Sequence, residues 1–306
     1  MKAIIPVAGH GTRLEPHTLI CQKCLLPVAG KPILEHILNR LTDANITDIT
    51  LIIGYLGQQV REYCKTYTKA QFTFVEQTTQ LGLGHAVYLG LDQSEEPVLI
   101  VLGDSILELD YNKLLSSTNS TIGVDWVPDP KRFGIVELDG NRIIKVVEKP
   151  HDPPSNLALI GIYYISSQKE LAAGVEYLME NDIRTKNEYQ LTDAYGIMIE
   201  KGHIFHALEI DTCLDCGIPK TMCSSNQKLL NQGQGNAIHP TAVIENSDLT
   251  HCTISKNCSV INTELTNVIM LPGSKIVNQH VEDQIVGFDE CIESETPLNI
   301  LINNKK

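Results

Sequence analysis

The chain has 306 residues, a formal net charge of −13, 42% hydrophobic and 20% charged residues, a composition ordinary for a soluble globular protein of one large and one small domain. So acidic a chain lacks the basic face that displaces counterions from a nucleic acid, although a few placed Arg and Lys residues can still bind a small anion. It has no apolar run of the roughly 18 residues that a membrane span needs; the start MKAIIPVAG is too short for a signal peptide, and the nine scattered Cys are expected as reduced thiols, so a cytoplasmic location is expected.

In chain order, Val- and Ile-rich runs at 3–7, 49–53, 72–75 and 98–102 predict buried strands, with helical spacing at 33–43 and 58–67 between them. This alternation implies an α/β fold with a mainly parallel sheet and helices on both faces, whose ligands sit on loops at the carboxyl ends of the strands. Another apolar strand is expected at 143–147. The polar, Gly-rich stretch 231–236 (NQGQGN) reads as a linker that divides 1–232 from 233–306. Beyond it, apolar residues recur at Ile238, Ile244, Leu249, Ile254, Val260, Leu265, Leu271 and Ile276, in steps of five or six. That period suits a short β-helix of triangular coils, with an irregular β tail as the alternative. Residues 296–306 read as a closing strand or a frayed end.

The strongest chemical signal follows the first strand: Ala8-Gly9-His10-Gly11-Thr12-Arg13-Leu14-Glu15-Pro16-His17-Thr18, then Lys23, then Leu26-Pro27-Val28. Leu14 stands where a dinucleotide fingerprint has its third Gly, and no Gly-Lys-Ser/Thr closes a Walker loop. Small residues let backbone N–H groups face an anion, while Arg13 offers a planar fork and Lys23 a point charge. Together they describe a triphosphate site. Gln77 followed by Gly82-Leu83-Gly84-His85-Ala86 offers a bare strand end on which a flat base can lie, or a plain helix N-terminus. Asp104 ends a buried strand, where a carboxylate is costly unless paired with a cation or metal. Glu148-Lys149-Pro150 offers an acceptor for sugar hydroxyls and a cation for a sugar phosphate, or a solvated ion pair.

The run G-x-G-T-R-L-x-P-x-T, followed by Lys and Leu-Pro-Val, resembles the signature of sugar nucleotidyltransferases, among them glucose-1-phosphate thymidylyltransferases and UTP–glucose-1-phosphate uridylyltransferases. The further motifs follow in the family's order over residues 1–225, and the C-terminal repeat resembles the β-helix tail of the longer thymidylyltransferase-like members. The resemblance implies a Rossmann-like nucleotidyltransferase sheet, then a short left-handed β-helix-like domain. It implies an enzyme that joins a nucleoside triphosphate to a sugar 1-phosphate and releases pyrophosphate. Ala8, Gly9, Gly11, Thr12, Arg13 and Lys23 would hold the triphosphate; Gln77 and Gly82 the base; Gly134, Glu148, Lys149, Gly161, Tyr163, Glu188 and Thr192 the sugar phosphate; Asp104 and Asp215 a Mg2+ ion. Arg13, Lys23, Asp104 and Asp215 would form the catalytic set. Asp215 matches the family's Asp-x-Gly-x-Pro segment, whereas Asp211 has the wrong spacing to Gly217 and Pro219.

Overall length and tail point to dTTP, the Gly-Leu-Gly-His-Ala segment to UTP, and the sugar is expected to be glucose. Cys24 stands where thymidylyltransferases often carry Gln, and Cys216 where Thr is usual, so both bear on nucleotide choice. They also create Cys21-Gln22-Lys23-Cys24 and Cys213-Leu214-Asp215-Cys216, for which structural zinc and site-blocking thiol oxidation are rival readings. Retention of all four charged residues argues against an inactive sugar-nucleotide-binding regulator. The tail has no evident catalytic His in a complete repeat, which argues against an acyltransferase. A short coil leaves an apolar end to cover, so a homo-oligomer is expected.

Overall fold

The structure, a computed structural model, describes residues 1–233 and 235–295. The chain divides into two compact units, Met1–Gly9 with Ile37–Cys213, and His10–His36 with Leu214–Lys306. The expectation for 296–306 lies outside the described residues.

In the first unit, strands β1 (Lys2–Pro6), β2 (Asp48–Ile53), β3 (Gln71–Glu76), β4 (Val98–Val101), β5 (Ser120–Trp126), β6 (Gly134–Asp139), β7 (Arg142–Glu148), β8 (Leu157–Ile165) and β9 (Phe205–Glu209) form one sheet in the order β3-β2-β1-β4-β8-β5-β9-β7-β6. The neighbours β3, β2, β1 and β4 pair in parallel, so their carboxyl ends share one edge. Chain order reverses between β1 and β4, a topological switch point of the kind where ligands bind. The other half is mixed: β8 runs antiparallel to β4 and β5, β7 antiparallel to β9 and β6, and β9 parallel to β5. Connection length accounts for the β6–β7 pair, which is joined through Gly140 and Asn141 alone, and so short a turn returns a strand antiparallel.

The four residues of β4 are buried throughout, and Ile4, Ile52, Ile100, Ile122 and Val124 share one core cluster. That explains why β1, β2 and β4 read as continuous apolar runs rather than alternating ones; β3, expected to be buried at 72–75, is instead an edge strand with Thr73 exposed and Phe72, Phe74 and Val75 only partly buried. Helix α1 (Ile33–Asp43) has the predicted bounds, while α2 (Gly57–Cys64) stops short of residue 67. There Thr66 and Tyr67 donate back to Tyr63 and Cys64 as closing turns. Helices α3 (Leu83–Gly90), α4 (Gln168–Glu180) and α5 (Leu191–Glu200) pack on one another over the first unit's core. No helix among the described residues is long and apolar enough to cross a membrane.

The second unit joins the signature loop, helix α6 (Pro219–Asn231) and the C-terminal coil. Pro219 opens α6, where its missing N–H has no intrahelical partner to lose. The coil is β-helix-like: three parallel ladders run through strands such as Val243–Glu245, Ser259–Ile261, Lys275–Val277 and Cys291–Glu293, spaced 16 residues apart. Its corners carry residues with positive φ at the same spacing: Asn246, Asn262 and Asn278; His251, Asn267 and Asp283; Asn257, Gly273 and Asp289. Asn and Asp tolerate this left-handed backbone best among side-chain-bearing residues. A 16-residue coil divides over three faces only unevenly, hence the steps of five and six. Val260, Leu265, Met270 and Ile276 fill the interior. The interior position in the third ladder is Met270 rather than the predicted Leu271, which is buried nonetheless.

Candidate functional site

Along the carboxyl edge of the first unit's parallel strands lie several of the expected residues. Ala8 and Gly9 follow β1, Gln77 follows β3, and Asp104 follows β4 by three residues. Gln80 Nε2 donates to Ala8 O at 3.1 Å. Gln77 is buried, and its Nε2 donates to Gly82 O at 3.2 Å. Gly82 is also the residue that caps α3, with φ 109 and ψ 176, so the stretch forms a helix N-terminus. Its backbone region is open essentially to Gly alone. The half-buried Asp104 accepts a hydrogen bond from Ser105 Oγ at 3.4 Å. Next to it, Gly161 interrupts the β8–β5 register with φ 48 and accepts from Leu102 N at 2.8 Å.

The expected sugar-site residues converge in the same unit. Gly134 pairs with Glu148 across the β6–β7 hairpin. The Glu148 side chain is only 8% exposed and takes two partners, Thr192 Oγ1 at 2.7 Å and Lys149 Nζ at 2.8 Å. The solvated-pair reading therefore does not describe it: this carboxylate is desolvated and charge-compensated. Lys149 has a positive φ of 42 and its N–H donates to Phe133 O. A Cβ at Gly134 would stand 2.8 Å from Thr192 Oγ1 and 3.1 Å from Glu148 Oε2, so Gly there leaves room for this cluster. Tyr163 is buried against Tyr195, and burial, then the negative charges of Glu148 and Asp104, hold its phenol protonated. Glu188 is exposed and its Oε2 accepts from Gln190 Nε2 at 3.0 Å. Asp193 was not singled out from the sequence. Burial raises its carboxyl pKa, with Thr185 and Lys149 opposing and Glu148 adding.

The remaining expected residues, Gly11, Thr12, Arg13, Lys23 and Asp215, belong to the second unit. Gly11 has φ 69 and caps the short turn Thr12–Leu14. Its carbonyl accepts from Leu14 N and from Thr18 Oγ1, and a Cβ there would stand 3.1 Å from Lys23 Cβ. The bend thus brings the stem of Lys23 against the bare backbone of Gly11. A Cβ at Gly217 would stand 2.8 Å from Asp215 Oδ1 and 3.4 Å from Arg13 Nη2, so the guanidinium of Arg13 lies beside the Asp215–Gly217 turn. Gly217 N donates to Asp215 Oδ1 at 2.7 Å, and Ser225 Oγ donates to Asp215 O at 2.9 Å. Ser225 and its neighbour Asn226 lay outside the motifs, because nothing in a helix marks a polar residue as a brace.

Asp104 in the first unit and Asp215 in the second each offer hard carboxylate oxygens, one set by a hydroxyl and one by a backbone N–H, the donor type that suits a cation such as Mg2+. Cys24 and Cys216 are buried, and all nine cysteines are free thiols. Burial pushes the Cys21 thiol up to about 11, which keeps it protonated and a weak nucleophile at neutral pH.

Four findings place the chain among known proteins. The family described as nucleotidyl transferase matches residues 2–232. The bifunctional protein GlmU of Methanococcus maripaludis is 36% identical over 237 residues, covering 76% of this chain and 55% of that protein. UTP–glucose-1-phosphate uridylyltransferase AglF of Haloferax volcanii is 30% identical over 240 residues, covering 75% of this chain and 96% of AglF. The chain thus spans about half the length of the GlmU relatives it matches. The crystal structure of a UDP-glucose pyrophosphorylase complexed with UDP-glucose superposes with a TM-score of 0.66 at 24% identity, covering 76% of this chain and 99% of that one, which is a likeness of fold.

Proposed function

Because the chain belongs to the nucleotidyl transferase family, we propose that it joins a pyrimidine nucleoside triphosphate to a sugar 1-phosphate, glucose 1-phosphate foremost, and releases pyrophosphate. The observation that carries this reading is the Arg13 guanidinium beside the Asp215–Gly217 turn, within a loop whose Gly11 backbone is packed on Lys23. A cationic fork and an acidic side chain at one Gly-lined bend suit a polyphosphate together with its counter-ion.

A phosphate oxygen of the sugar 1-phosphate attacks the α-phosphorus in line with the departing pyrophosphate. A phosphate dianion is already nucleophilic, so no general base is needed, and catalysis is positioning and charge neutralisation. Arg13 and Lys23 neutralise the leaving pyrophosphate. Asp104 and Asp215 would hold a Mg2+ ion, whose charge would screen the approach of two anions. Glu148, braced by Thr192, accepts bonds from sugar hydroxyls, and Lys149 holds the sugar phosphate. Gln77 and Gly82 orient the base.

UTP and dTTP are the proposed nucleotides, with UTP favoured by the match to AglF over nearly all of that protein's length. A base read by backbone groups and Gln77 discriminates weakly against one methyl group, so both are expected to react. Residues 1–232 are proposed to carry the chemistry in the cytoplasm. The exposed apolar residues Ile238 and Val243 at the start of the coil support its covering by a second copy. The test is pyrophosphate release from UTP, dTTP, GTP and ATP, each with several sugar 1-phosphates, with and without Mg2+. Asp104→Asn and Asp215→Asn are expected to lose turnover by orders of magnitude while remaining folded. Turnover that survives chelation or either substitution would remove the metal role, and release from no pair would end the proposal.

A further inference from the structure

The signature loop continues past Lys23 into a small hairpin, Pro27–Val28 with Lys31–Pro32, whose turn residues Ala29 and Gly30 both have positive φ, 48 and 78. His36 is hydrogen-bonded to Val28 O at 2.7 Å. Beyond the hairpin lie α6 and the coil, all in the second unit. Asn226 of α6 is fully buried and bonds to both neighbours. Its Oδ1 accepts from Ala29 N at 2.9 Å and from Thr253 Oγ1 at 2.6 Å, and its Nδ2 donates to His251 O at 3.0 Å. One residue earlier, Ser225 holds the backbone of Asp215. Two further points tie loop to coil: a Cβ at Gly30 would stand 2.8 Å from Ala237 Cβ, and the charge of Glu290 acts on the half-buried His17.

A coil that merely capped the unit would need only apolar contact. Here buried polar groups are spent on one side chain that joins the hairpin after Lys23, the helix behind Asp215 and two residues of one coil. Such a satisfied, desolvated network fixes geometry more strictly than packing does. We propose that the C-terminal coil positions the phosphate-gripping loop through Asn226 and Thr253, so that Arg13, Lys23 and Asp215 are held for reaction by the β-helix-like tail. This rests on the function proposed above. Asn226 and Thr253 are positioning residues, because they touch neither the proposed phosphates nor the acidic side chains.

The test uses the full chain. Thr253→Val keeps the shape and removes the hydroxyl that reaches Asn226; Thr253→Ser restores it; Asn226→Asp keeps the acceptor and loses the donor to His251. Thr253→Val and Asn226→Asp are expected to lower kcat by about tenfold, the rate equivalent of about 1.4 kcal/mol of lost positioning, with the KM for sugar 1-phosphate unchanged and Thr253→Ser near wild type. Amide exchange across residues 10–30 should quicken about tenfold in the first two variants. A fall in thermal midpoint with kcat and loop exchange both at wild-type values would reduce Asn226 to a structural brace and overturn the proposal. If the wild-type chain releases no pyrophosphate from any pair, the enzymatic reading fails by itself, and the exchange rates alone then decide whether the coil holds the loop.

Discussion

Two glycines of the first unit separate backbone strain from steric collision, and the contrast yields a sharp prediction. Gly82 has φ 109 and ψ 176, a region costing about 1–3 kcal/mol for any residue with a Cβ. An added Cβ would also stand 2.7 Å from Glu188 Cβ, 2.8 Å from Tyr189 O and 2.9 Å from Tyr189 N. Two of these are backbone atoms that cannot swing aside, so overpacking adds about 1–3 kcal/mol. Gly82→Ala should therefore cost roughly 2–6 kcal/mol in all. Gly161 has φ 48, and its nearest atoms to a new Cβ are Ser105 Cβ and Oγ at 3.4 Å, ordinary contact. Gly161→Ala should cost only the left-handed strain of about 1–2 kcal/mol. Urea unfolding of both variants followed by circular dichroism tests this. The collision also pushes on Glu188 and on the carbonyl that Gln77 reaches, so Gly82→Ala should raise the KM for the nucleotide as well. Equal stability losses in the two variants, or a loss under about 1 kcal/mol for Gly82→Ala, would refute the steric reasoning.

Thr192→Val removes the hydroxyl that donates to the buried Glu148 and should lower kcat/KM for the sugar 1-phosphate by about 10- to 100-fold, from about 1.5–3 kcal/mol for a bond to a charged group, while the KM for the nucleotide stays put; steady-state kinetics in each substrate reads this. Burial raises the Asp193 carboxyl above its unfolded value, so the folded state binds the proton more tightly and stability falls as pH rises through the acidic range up to that raised pKa. Asp193→Asn should then raise the thermal midpoint at pH 7 and leave it unchanged below the unfolded carboxylate range, a difference visible in melts across pH. Cys291 is the one exposed cysteine, so brief iodoacetamide treatment at neutral pH should label it first and leave turnover intact, as should peroxide, because burial holds Cys21 protonated; loss of activity that a reductant restores would revive an oxidation switch.

Much of the molecule was legible in its residues. The apolar runs that became β1, β2 and β4 are buried strands, and hydrophobic content says so, because a strand covered on both faces has no reason to alternate; the run at 72–75 misled, because β3 is an edge strand whose residues are exposed or only partly buried. The signature loop was legible as a bend, since Gly11 takes the positive φ of 69 that its lack of a Cβ permits. The coil was legible as a period. Its true repeat of 16 residues was hidden, because one coil fits three faces with steps of five and six, and only the ladders through Val243, Ser259, Lys275 and Cys291 reveal the sum.

Tertiary structure decided what periodicity cannot carry. Strand direction at the β6–β7 pair follows from a turn too short to cross over, while the antiparallel pairing of β8 with β4 joins strands far apart in the chain. The state of Glu148 depends on Thr192, far along the chain, and on desolvation, neither of which a Glu-Lys pair announces. Asn226 is one polar residue in a helix until folding brings Ala29 and Thr253 to it. Local sequence determines which segments bury their side chains, because burial is a property of each segment's own surface; which partner a buried polar group meets depends on residues hundreds of bonds away, and only the folded chain brings those together.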